Sequence, residues 1–77
     1  MEKYTKGIDS KKNDYIEVKV LSKDESVRIT YVEEGYDGGP CVRIQIREPG
    51  KGPRMGPEFP VESALQVVAG LNELLTI

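Results

Sequence analysis

Apolar residues follow two different rhythms along this chain. Between Tyr15 and Arg47 they recur at every second position; after Pro60 they recur at helical spacing. Ile16, Val18 and Val20 alternate with Glu17, Lys19 and Leu21. Val27, Ile29 and Tyr31 alternate with Arg28, Thr30 and Val32. Val42, Ile44 and Ile46 alternate with Cys41, Arg43, Gln45 and Arg47. A period of two sends successive side chains to opposite faces, so each run predicts a strand with one apolar side. Residues 22–25 read as a turn. Residues 33–39 read as a loop, because Gly35, Asp37, Gly38 and Gly39 tolerate turn conformations. Connections this short predict antiparallel neighbours. Residues 48–60 hold prolines 49, 53, 57 and 60, each lacking a backbone donor. A central strand is excluded there, and a short edge strand over 54–59 remains open.

From residue 61 onward the pattern predicts a helix. Val61, Leu65, Val68 and Leu75 lie near one line, interrupted by Asn72; Ala64, Val67, Leu71 and Leu74 form a neighbouring stripe. Together they cover roughly half the helix circumference, more than the single stripe of an ordinary surface helix. Pro60 suits the helix entrance, and Glu62 suits the positive end of the helix dipole. Phe59, the only phenylalanine, is expected to plug the sheet–helix interface. Gly70 reads either as a close approach of a second backbone or as a weak point costing about 1 kcal/mol relative to Ala. One small sheet covers one side of such a helix, and the other side calls for a partner. The simplest partner is a second copy, with Leu65, Val68, Leu71, Leu74 and Leu75 in the dimer interface. The expected fold class is α+β: an antiparallel sheet of about four strands followed by one C-terminal helix, assembled as a homodimer.

Residues 1–14 are polar, carry both charge signs and show no apolar period. They read as a flexible arm ahead of a sheet-plus-helix domain over 15–77. With 77 residues there is room for one domain, near the lower limit for a self-sufficient core. A single cysteine, Cys41, excludes an intrachain disulfide framework and fits an intracellular setting. The longest apolar stretch is broken by Gln66, Gly70, Asn72 and Glu73, so no membrane span is expected.

The chain has no histidine, which removes the commonest neutral-pH acid–base and any Ser-His or Cys-His nucleophile pair. One cysteine without histidine makes a poor zinc set. Gly50-Lys51-Gly52 lacks the spacing and context of a phosphate-binding P-loop. Neither an enzyme nor a bound cofactor or metal is expected.

The polar side of the sheet is the remaining candidate. Alternation puts Lys19, Arg28, Arg43 and Arg47 opposite the aliphatic residues, with Thr30 and Gln45 among them. The following loop adds Lys51 and Arg54, and Tyr36 is a candidate stacking residue. Cations for phosphates and aromatics for exposed bases are what single-stranded nucleic acid requires. The competing reading is an ordinary solvated sheet face. Glu17, Glu33, Glu34 and Asp37 dilute its charge, and the net charge of −2 gives no global attraction for a polyanion.

The segments VRIQIRE (42–48) and GKGPRMGPEFPVESALQVVAGLNELL (50–75) carry a family resemblance. Their order of isoleucine-rich strand ending in Arg-Glu, Gly/Lys-rich loop, short strand and terminal helix resembles the positive-cofactor-four family of single-stranded-DNA-binding transcription coactivators. The resemblance spans roughly residues 26 to 75. It implies a curved four-stranded antiparallel sheet, helices pairing across a dimer twofold, and single-stranded DNA along the sheet groove. Ala64 and Leu65 depart from it, standing where the family places an aromatic residue. The chain's acidic balance departs from the family's basic face. The expected function is therefore non-catalytic binding of single-stranded DNA or RNA in a transcription setting. The alternative is a protein–protein interaction module that binds no nucleic acid.

Overall fold

A computed structural model describes residues 4–19, 24–35, 38–48, 50–52 and 54–76. It contains strands β1 (Thr5–Ile8), β2 (Asp14–Lys19), β3 (Ser26–Val32), β4 (Cys41–Arg47) and β5 (Arg54–Pro60), then helix α1 (Val61–Leu75). The strands form one antiparallel sheet in sequence order, β1-β2-β3-β4-β5. The fold is α+β, as the two rhythms predict, with five strands where about four were expected.

The fifth strand comes from the segment read as a flexible arm. Asp9 is the reason it holds. Its Oδ1 accepts hydrogen bonds from the backbone N–H groups of Lys11 and Asn13, both at 2.9 Å. The Asp9 N–H donates to the Asn13 carbonyl, and Lys12 adopts φ 66°. An aspartate that satisfies backbone donors two and four residues on closes a turn locally. The chain then returns along β2, pairing Lys6 with Ile16 and Gly7 with Tyr15. No hydrophobic period announces β1, because turn chemistry and edge pairing create it.

Register separates an aliphatic face from a polar one, with the buried Val32–Cys41 pair on the polar side. Ile16 stands opposite Ile29, and Ile29 opposite Ile44; Val18, Val27 and Ile46 form a second row. Tyr31, Val42 and Phe59 form a third. These rows make one continuous aliphatic face. Phe59 is half-buried opposite Val42.

The core formed by the described residues is thin. Among the described residues no side chain is completely enclosed, and the buried apolar set is Val32, Cys41 and Ala64. The aliphatic face itself is open: Ile16 and Ile29 are each 37% exposed and Tyr31 43%. This corrects the expectation that the sheet covers one side of the helix. Ala64 is the buried residue of α1, and Leu65, Val68, Leu71, Leu74 and Leu75 all face solvent. The cause is the junction. Pro60 ends β5 and Val61 begins α1, with no linker between them. The Val61 N–H donates to the Pro40 carbonyl at 3.2 Å, which pins the helix start beside β4. From there α1 touches β4 and β5 and no other strand. A Cβ at Gly70 would meet nothing within 4 Å, so no close approach of this chain's own elements explains that glycine.

Gly56 is where β5 comes closest to its neighbour. A Cβ there would lie 2.6 Å from the Ile44 carbonyl oxygen, beside the register shift between Arg43 and Gln45. Backbone cannot step aside cheaply, so Gly56→Ala should cost about 1–3 kcal/mol. Gly52→Ala, with open space around its Cβ, should stay within about 0.5 kcal/mol of the parent. Urea midpoints at matched protein concentration check this. Equal midpoints for the two variants would refute the close approach.

Candidate nucleic-acid interface

The polar face is built from the residues left over by the aliphatic rows. Three cross-strand rows define it. Lys19, Ser26 and Arg47 are mutually opposite on β2, β3 and β4. Glu17, Arg28 and Gln45 form the next row, and Tyr15, Thr30, Arg43 and Glu58 the third. Alternation therefore brings Lys19, Arg28, Arg43 and Arg47 to one face, as predicted. It is the better covered of the two faces. Thr30 is buried at 4% exposure, and the long side chains around it lie down over the sheet.

They lie down because they are paired. Arg28 Nε donates to Glu17 Oε1 at 2.8 Å, and its guanidinium sits 3.7 Å from the centroid of the Tyr15 ring. Charge pairing and cation–π attraction thus act on one group. The ring is held in turn by Gly7, where any Cβ would run into it. Arg43 Nε donates to Glu58 Oε2 at 3.0 Å, while Glu58 Oε1 accepts from the Cys41 thiol at 3.3 Å. Cys41 is consequently a buried packing residue tied to β5.

The loop cations are compensated as well. Arg54 bridges Glu25 and Glu48, each at 2.9 Å, and Lys51 Nζ lies 3.6 Å from Glu48. These pairs are largely exposed on the cation side, so each adds little stability. Their effect is on the field: they remove the net positive charge expected of this loop. Lys19 and Arg47 are different. They make no ion pair with another described residue, and they flank Ser26 in one row.

Tyr36 lies outside the described residues. The aromatic group on this face is Tyr15, whose odd-numbered position matches Glu17 and Lys19 in the β2 alternation. That parity was readable in the sequence. The carboxylates that neutralise the arginines were partly readable too. Glu17 shares the β2 parity, whereas Glu58 required knowing the β4–β5 register. Among the described residues no three His, Cys, Asp or Glu side chains converge into a metal-binding group. Among the described residues no helix is long and apolar enough to cross a membrane. No protein-family model, curated protein or solved structure matches the chain.

Glu17 reports on this face electrostatically. Burial pushes its carboxyl up, but hydrogen bonds from Arg28 and Ser26 and the charges of Arg28 and Arg47 outweigh that and hold it below the ordinary glutamate value. A depressed folded value contributes stability above the unfolded value of about 4.3, and that stability is lost as pH falls through the folded value. Glu17→Gln should therefore cost about 1 kcal/mol at neutral pH and much less in strong acid. Urea unfolding of both proteins at neutral and strongly acidic pH reads the difference. A gap of the same size at both would show that the carboxylate's charge plays no part.

Proposed function

We propose that this chain is the protomer of a homodimer that binds single-stranded nucleic acid without catalysis. The observation that carries the reading is the separation of the two faces. The aliphatic face and α1 are open and call for protein cover. The opposite face presents the Lys19–Ser26–Arg47 row, Arg28 stacked on Tyr15, and Arg43 beside Thr30. Lys19 and Arg47 offer cations for phosphate, and Ser26, Thr30 and Gln45 offer hydrogen bonds. The resemblance carried by residues 42–48 and 50–75 supports the same reading.

Binding on such a face is an exchange. A phosphate approaching Arg28 or Arg43 displaces Glu17 or Glu58, so those arginines gain less than free cations would. Affinity is expected to be modest and strongly salt-dependent, with Lys19 and Arg47 contributing most. One observation favours a second reading. The two arginines at the centre of this face, Arg28 and Arg43, are already paired with carboxylates, which leaves a nearly neutral surface better suited to a protein partner.

Fluorescence anisotropy with labelled single-stranded DNA and RNA at low salt separates the two. Under the nucleic-acid reading, binding is detected. The slope of log affinity against log salt then becomes shallower by about 0.7 for each phosphate contact removed. Lys19→Ala and Arg47→Ala should each produce that change, while Glu17→Gln should strengthen binding. No binding by the intact protein at low salt would leave the protein-interaction reading.

Assembly is tested separately. Leu71→Asp puts a charge into the proposed interface, at a cost of about 3 kcal/mol or more. It should convert dimer to monomer or to unfolded chain. Sedimentation showing the unaltered chain to be a stable monomer at micromolar concentration would remove the homodimer.

A further inference from the structure

We infer that the open edge of β1 pairs with the β1 edge of a second copy, antiparallel and centred on Gly7, so that two sheets join into one. The pairing goes beyond the homodimer proposed above, because it uses the backbone of β1 and no residue of α1.

The two edges of the sheet differ in kind. β5 carries Pro57 and Pro60, which lack backbone donors. β1 holds no proline and lies outermost, with no described strand along its far side. The direction of its backbone groups follows from the turn. The Asp9 N–H donates to the Asn13 carbonyl, towards β2. Inward-pointing residues alternate with outward-pointing ones along an antiparallel ladder. Gly7 therefore bonds inward, opposite Tyr15, while the N–H and C=O groups of Lys6 and Ile8 point to the open edge.

Side chains choose the register. A twofold normal to the sheet keeps each face on its own side only if opposed residues share parity. Centred on Lys6, the pairing would set two lysines directly against each other, the usual protection an edge lysine gives. Centred on Ile8, it would run into the Asp9 turn. Centred on Gly7, Lys6 of each copy lies opposite Ile8 of the other, and each such pair exchanges both backbone hydrogen bonds. Gly7 meets its counterpart at the axis, where no side chain stands between them.

Charge makes the same choice. Lys6 lies opposite Ile16 and Ile8 opposite Asp14, all on one face. Neither Lys6 nor Asp14 forms an ion pair with another described residue. Across the joined edges the row runs Ile16, Lys6, the other copy's Ile8, the other copy's Asp14. Lys6 and that Asp14 stand two strand spacings apart, about 10 Å, a gap that a lysine stem and a carboxylate span together. The stem crosses Ile8, which is 66% exposed in one copy. The twofold makes both contacts twice. Each β1 edge is used once, so the pairing closes at two copies and does not grow into a fibre.

Two single-cysteine chains in a Cys41→Ser background test this, one with Lys6→Cys and one with Ile8→Cys, distinguished by tag mass. Opposed positions stand about 5.5 Å apart between Cα atoms, within disulfide range. Position 6 of one copy and position 6 of the other lie on a diagonal of about 7–8 Å, beyond it. After mixing under reducing conditions and gentle oxidation, the mixed disulfide should dominate over both symmetric products. Equal or greater yield of either symmetric product, or no crosslink, would overturn the pairing. The crosslink reads positions 6 and 8 alone, so it answers for the edge whichever way the test of the homodimer falls. A charge exchange gives a second reading. Lys6→Glu and Asp14→Lys should each weaken the edge association about tenfold in sedimentation, by placing like charges across the joined strands. An equimolar mixture of the two should recover it, because both contacts between the copies are then opposite in sign. No recovery on mixing, with both variants folded by circular dichroism, would overturn the pairing.

Discussion

The direct junction of β5 into α1 governs the rest of this structure. With no residue between strand and helix, α1 leaves the sheet directly from β5 and packs against β4 and β5. Its start is fixed beside β4 by the Val61–Pro40 hydrogen bond, and its length runs clear of β1, β2 and β3. The aliphatic rows are then left without a lid. Folding normally offsets its conformational entropy cost by removing apolar surface from water. In this chain much of that gain is not made within the described residues. Ile16, Ile29 and Tyr31 on the sheet, and Leu71 and Leu74 on the helix, retain apolar area that only another surface can cover. A chain of 77 residues has little core to spare, and the described residues leave much of its apolar surface open.

Pairing geometry decides the electrostatics of the polar face. The same cross-strand register that aligns Ile16 with Ile29 aligns Glu17 with Arg28. It also sets Arg43 opposite Glu58. Opposite charges directly across an antiparallel ladder stabilise it modestly, by about 0.2–1 kcal/mol per pair. They also hold long side chains flat against the backbone. This accounts for an inversion that hydropathy would not anticipate, in which Thr30 is buried while Ile29 is exposed. On the polar face Thr30 stands next to the buried Val32–Cys41 row and between Tyr15 and Arg43.

Elements with strong internal period were legible. The alternations over 15–20, 27–32 and 41–47 anticipated β2, β3 and β4 closely, and Pro60 stood where the helix entrance was expected. The edge strand over 54–59 emerged as β5. β1 was not legible by hydrophobic pattern, since Thr5–Ile8 has none; only the Asp9 turn hints at it. The membership of the polar face followed from parity alone. Its ion pairs did not, because they depend on which residues lie opposite across strands, and parity leaves register open by steps of two. The coverage of the helix was misjudged for a related reason. Periodicity reports that a face is apolar and is silent on which molecule covers it.

The two faces are coupled through that register. A slip of one residue in β2 or β3 would send that strand's aliphatic residues to the polar side and break the Glu17–Arg28 pair, and a slip in β4 or β5 would break Arg43–Glu58. Apolar burial in one chain is too sparse to prevent such a slip strongly, so the ion pairs and the Tyr15–Gly7 contact carry more of that task than in a well-cored domain. Covering the aliphatic face by assembly would add a second restraint on the same register. Any cover on one side would thereby steady the spacing of Lys19, Arg28, Arg43 and Arg47 on the other. In a sheet this thin, the aliphatic side chains of one face and the charged side chains of the other share one set of backbone hydrogen bonds.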